Sequence, residues 1–212
     1  MYRYWIILLI FIPLPQNSKA QLPESGFNID LQECYIVARG TRSKQAFISK
    51  KFNIVNDSIT HIGIGVTTDS GFRIYNVNPV RKGNALFIED MRSYFDEPDL
   101  VYAGIWKLVL DDPAKTRIRD ALNKWQGRFV DFDSDFLADN RDSVLYCSEF
   151  CWQITSILGE KFSFDLLEIE TRSVDLEGIL KREKLFYVPV DYFLLFSEVV
   201  YCGSWSDKNF KF

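Results

Sequence analysis

The sequence predicts an α+β fold, a mainly antiparallel sheet with helices packed on it. Three observations predict it. "SITHIGIGVTT" (58–68), "DSG" (69–71) and "FRIYNVNPV" (72–80) read as strand, turn and returning strand of a hairpin. "LVYAGIWKLVL" (100–110) is a strong strand. "DDPAKTRIRDALNKWQG" (111–127) and "YCSEFCWQITSILG" (146–159) read as helices, each stopped by a glycine.

The elements follow in order. Residues 1–20, "MYRYWIILLIFIPLPQNSKA", have one positive charge at Arg3, an apolar run from Trp5 to Ile12, and small residues at Ser18 and Ala20. This is the pattern of a secretory signal peptide cleaved after Ala20. The run is too short to span a bilayer, and no later apolar stretch approaches 18 residues. A mature, exported protein of one domain over 21–212, with no transmembrane segment, is expected. "CYIVARG" (34–40) alternates as a strand, and "SKQAFISKKF" (43–52) reads as a short helix with a basic face. "LFIEDMRSYF" (86–95) reads as a short helix. In the 111–127 helix an aspartate caps and Pro113 takes the first helical position. Its buried stripe is Ile118, Ala121, Leu122 and Trp125. "FVDFDSDFLADNRDS" (129–143) is an acidic loop, "SVDLEGILKRE" (173–183) a short helix, and "KLFYVPVDYFLLF" (184–196) begins as a strand.

Composition bounds the function. The 212 residues are 47% apolar and 25% charged, which suits one folded domain. Net charge is -4 and no long Lys/Arg cluster occurs, so nucleic-acid binding has no electrostatic support. The four cysteines are Cys34, Cys147, Cys151 and Cys202. Export permits disulfides, and Cys34–Cys202 is one possible pair. Cys147 and Cys151 stand one helical turn apart, a poor geometry for a bridge. With one histidine and no CxxC, a structural zinc site is not expected.

Two stretches could carry chemistry. On a helical wheel Cys147 shares its face with Phe150, Cys151, Ile154, Ile157 and Leu158, while Ser148 and Glu149 fall on the other side. That position in the first helical turn suits a buried structural thiol. It equally suits a thiolate, whose pKa the helix N-terminus lowers. His61 shares its strand face with Gly63 and Gly65, which leave room for a close approach such as a helix N-terminus. On the returning strand, Asn76 and Asn78 share one face, and either could orient the imidazole of His61.

These residues carry a resemblance. "THIGIGV", "IYNVNPV" and "LYCSEF", in this order, resemble the permuted NlpC/P60 group of papain-like cysteine amidases and peptidases, with YiiX/YaeF-like proteins nearest. "ECYIVARG", "GRFVDFDSDF" and "FYVPVDYFLLFSEVV" extend the likeness from about Glu33 to Val200. The resemblance implies a circularly permuted papain-like fold with the nucleophile helix packed against the sheet. It implies Cys147 as nucleophile, His61 as general base and acid, and Asn76 as the orienting residue, with Asn78 as substitute. Asn76 departs from the acidic residue usual at that position. Tyr146, Ser148 and Asn78 would contact substrate. The activity implied is hydrolysis of an amide through a thioester, without metal or cofactor. The substrate would be a cell-envelope peptide, such as a peptidoglycan-derived one, or an N-acyl compound, handled by a monomer. Acyl transfer or lipid hydrolysis on the same scaffold, and an inactive exported binding module, are the other readings. Asp133 and Asp135, in the acidic loop before the nucleophile, would border the cleft and favour a cationic substrate group.

Overall fold

The computed structural model describes residues 27–80, 82–138, 143–162, 165–171 and 182–207. The export segment, the tip of the acidic loop and nearly all of the helix expected over 173–183 lie outside them.

The chain begins with β1 (Cys34–Thr41) and α1 (Lys44–Phe52), whose N-cap Ser43 accepts from the Ala46 N–H. β2 (His61–Thr68) and β3 (Gly71–Val77) form the expected hairpin, with Gly71 at φ 96, a left-handed conformation that suits a residue without a Cβ. The stretch expected as one helix over 86–95 divides in two: β4 (Leu86–Glu89) and α2 (Met91–Phe95). Its first half pairs with β3, and pairing at a sheet edge outweighs local helical preference. Asp90 ends the strand and caps α2, accepting from the Ser93 N–H at 2.7 Å.

β5 (Leu100–Leu108) leads into α3 (Asp112–Trp125), capped by Asp111. The two-residue strands β6 (Asp131–Phe132) and β7 (Val144–Leu145) pair in parallel just before α4 (Cys147–Ser156). β8 (Leu167–Glu170) and β9 (Lys184–Tyr187) make a separate antiparallel pair, and β10 (Val199–Ser206) closes the main sheet. That sheet is antiparallel throughout, in the order β10-β5-β1-β2-β3-β4.

Period-two alternation gives the central strands two apolar faces. Ile36, Ile62, Ile64 and Val66 meet Ile118 and Leu122 of α3 and Phe150, Cys151 and Ile154 of α4 in the larger core. Tyr35, Val37 and Ile74 meet Tyr94 and Phe95 of α2 in the smaller one. Helix α4 (Cys147–Ser156) therefore packs on the face opposite Gly63 and Gly65. A Cβ at Gly63 would stand 2.8 Å from the Tyr75 carbonyl oxygen, and one at Gly65 would stand 2.4 Å from the Phe72 ring. The glycines make room for β3 and Phe72, not for the helix. All four cysteines are free, so no Cys34–Cys202 bridge forms.

The segment leading into β2 is tied down by one carboxylate. Buried Asp191 accepts from the backbone N–H groups of Ile54, Val55 and Asn56, at 2.5–3.1 Å. Asp191→Ala strands three N–H donors at once. It is expected to cost about 3 kcal/mol, measured as a shift in the urea unfolding midpoint with an unchanged slope.

Candidate active site

β2 carries His61 as its first residue and β1 sets Arg39 opposite it. The β2–β3 ladder ends at the Ile64–Tyr75 pair. Beyond that pair, β3 continues through Asn76 on its pairing with β4. His61, Asn76, Asn78 and Arg39 all lie on the face of the smaller core, beneath α2.

His61 Nε2 lies 3.0 Å from Asn76 Oδ1. Asn78 does not touch the imidazole; its Nδ2 donates to the same Asn76 oxygen at 2.9 Å. Asn76 Nδ2 donates to Glu89 Oε2 at 2.8 Å. Arg39 Nη2 donates to Asn78 Oδ1 at 3.0 Å and pairs with Glu97 at 2.9 Å, while its Nη1 donates to the Tyr94 carbonyl. The Arg39 guanidinium also stands over the Tyr94 ring, 4.5 Å from its centroid.

Cys147 opens α4. α1, α2 and α3 each have a side-chain cap, but Tyr146, the N-cap of α4, supplies none. The free N–H groups of the first turn therefore have no side-chain oxygen from the cap residue. The backbone N–H groups of Ile62, Ser148 and Cys147 favour the thiolate at Cys147, as does the charge of Arg39. Burial outweighs them and pushes the thiol up from its ordinary value. The helix N-terminus acts in the expected direction but does not prevail, because Cys147 is only 7% exposed. Burial, helped by the Arg39 charge, holds His61 well below 6.5, against the Asn76 hydrogen bond. The resting pair is a neutral thiol and a neutral imidazole. Ile62 joins them: its N–H acts on the sulfur, and it follows His61 directly in β2. Among the described residues, no hydrogen bond links Cys147 to His61 itself.

The other expected contacts fall elsewhere. Tyr146 and Ser148 are fully buried. Ser148 Oγ donates to the Val188 carbonyl at 2.5 Å, and the Val188 N–H donates to Tyr146 Oη at 2.9 Å. Their side chains thus anchor α4 to the chain after β9 and do not line an open cleft. Glu149 is fully buried too, although the wheel put it away from the apolar stripe. Asp133 is buried and shapes a turn, accepting from the Asp135 and Leu137 N–H groups. A cavity of about 380 Å³ lies at the far end of β2, lined by Thr67, Thr68, Arg73 and Arg119 among others, away from Cys147. Sequence reasoning missed Arg39 and Glu89. Alternation in "CYIVARG" does put Arg39 on the Tyr35–Val37 face, a charge turned inward. Glu89 gave no signal while its segment read as helix.

No family model and no curated protein sequence matches the chain. Among solved structures it matches the metalloprotein YiiX (DUF1105) from Escherichia coli O157:H7, with a TM-score of 0.58 and 12% identity. The match covers 83% of this chain and 98% of YiiX. The chain has a YiiX-like fold. Among the described residues, no three His, Cys, Asp or Glu side chains are grouped to hold a metal ion. The Arg39 charge that disfavours imidazolium at His61 also disfavours a metal cation there. No described helix is long and apolar enough to cross a membrane.

The depressed His61 value has a sign that stability measurements can read. Above about pH 6.5 the imidazole is neutral in both folded and unfolded chains and adds no slope. Below it the unfolded chain takes up a proton that the folded chain refuses. Stability is therefore expected to fall by up to about 1.4 kcal/mol per pH unit as pH drops from 6.5 toward 5. With a single histidine in the chain, His61→Gln should remove that part of the slope in urea titrations.

Proposed function

We propose that this chain is an exported cysteine hydrolase of the permuted papain-like type, cleaving an amide in a cell-envelope peptide or an N-acyl compound. The observation that carries this reading is the hold on His61. Asn76 engages Nε2 at 3.0 Å, which leaves Nδ1 as the basic nitrogen, one residue from the Ile62 N–H that faces Cys147. The order of "THIGIGV", "IYNVNPV" and "YCSEF" supports it, as do the YiiX-like fold and the N-terminal export pattern.

The chemistry begins from the neutral pair. His61 Nδ1 takes the thiol proton as Cys147 Sγ attacks the acyl carbon. The carbonyl oxygen gains the negative charge and is held by N–H groups of the first turn of α4, where Tyr146 supplies no side-chain cap. His61 returns its proton to the departing amine, leaving a thioester on Cys147. A water then gives its proton to His61 and its oxygen to the acyl group, and the thiol is restored. Because both groups start neutral, the base acts during attack rather than on a standing ion pair. Burial keeps the site dry until substrate enters, which strengthens each of these contacts.

A panel of acylated peptides, N-acyl amides and esters tests the reading. Amide turnover with a thioester adduct on Cys147, lost by about 10³-fold in both Cys147→Ser and His61→Ala, is the expected result. Turnover of esters with transfer to an added acceptor would move the reading to acyl transfer. No adduct and no turnover across the panel would leave the exported binding module.

A further inference from the structure

The polar groups behind His61 form a strip with two fixed ends. Arg39 can only donate, and the Glu89 carboxylate can only accept. Between them stand two amides that could each point either way. Arg39 Nη2 to Asn78 Oδ1 is 3.0 Å, Asn78 Nδ2 to Asn76 Oδ1 is 2.9 Å, and Asn76 Nδ2 to Glu89 Oε2 is 2.8 Å. Turning either amide round would set donor against donor at Arg39 or acceptor against acceptor at Glu89. The strip therefore has one direction. Asn76 must present its oxygen to His61, and an oxygen there demands a proton on Nε2.

We infer that Arg39, Asn78 and Glu89 are positioning residues that lock His61 as the Nε2–H tautomer by fixing the direction of the Asn76 amide. An acidic third residue does this alone, since both its oxygens accept. An asparagine cannot, because half of its polar end donates. The strip supplies what the asparagine lacks, and β4 brings Glu89 to it through the Ile74–Glu89 pair. Asn76 is fully buried and Arg39 only 4% exposed, so water does not compete for these bonds along the inner part of the strip. The role is catalytic positioning insofar as Cys147 is the nucleophile, but the tautomer lock stands on the strip's own geometry.

One histidine makes the test direct. Nitrogen-15 labelled histidine reports by NMR which ring nitrogen carries the proton, with no substrate needed. The native protein should give a single tautomer protonated at Nε2; a proton at Nδ1 overturns the inference whatever any variant does. Each end of the strip can hold the amide alone, so the informative variant removes both. The double variant Asn78→Ala with Glu89→Gln should give a mixture of the two tautomers. If that variant folds and remains wholly Nε2–H, the inference fails. Adding Asn76→Asp to the pair should restore the single tautomer, because a carboxylate cannot donate; a mixture there also refutes it. A correct tautomer pattern in a protein without hydrolase activity would count against the hydrolase reading alone.

Discussion

A histidine buried under a helix has little water to satisfy its ring, and His61 gives Nε2 to Asn76. That single bond constrains the rest. Asn76 has to reach the start of β2 from β3 after their ladder has ended, so β3 is held from its other side by β4. Arg39 has to lie opposite His61, which sets the β1–β2 register. The segment before β2 has to arrive in place, and Asp191 fixes it through three backbone donors. Each of these serves the position of one imidazole.

The electrostatics run against a ready-made ion pair. Burial acts on Cys147 and His61 in opposite directions, favouring the uncharged form of both. Arg39 helps the thiolate and hinders the imidazolium at the same time. It is itself offset by Glu97 and by the carbonyl of Tyr94. The result is a protected thiol that rests neutral beside a neutral imidazole. It differs from the exposed, low-pKa thiol that the helix N-terminus alone would produce.

Much of the fold was legible because the elements are long and regular. β1, the β2–β3 hairpin and β5 alternate cleanly, and α3 announces itself through Asp111, Pro113 and its apolar stripe. β4 was misread as helix because four residues hold too little periodicity to oppose the helical signal of α2 beside them. β10 was not anticipated: it is an edge strand with Gly203 and a register shift, and its outward residues need no apolar pattern. At the candidate site, the pairing of His61 with Asn76 was legible from their order along the hairpin. The site was not legible where strand pairing decides, since nothing local ties Arg39 to Asn78 or Glu89 to Asn76. Tyr146 and Ser148 misled because adjacency to a nucleophile suggests contact with substrate, whereas the chain after β9 buries both.

The central claim is that His61 acts on Cys147. The most direct measurement is iodoacetamide labelling across pH, resolved site by site by mass spectrometry, in the native protein and in His61→Ala. Exposed Cys202 serves as an internal reference for reagent and pH. The account predicts that native Cys147 labels with a rate rising through neutral pH, and that removing His61 slows it at least about tenfold at pH 7 while Cys202 is unchanged. Equal labelling of Cys147 with and without His61, or labelling only after unfolding, would contradict it and leave Cys147 a core thiol.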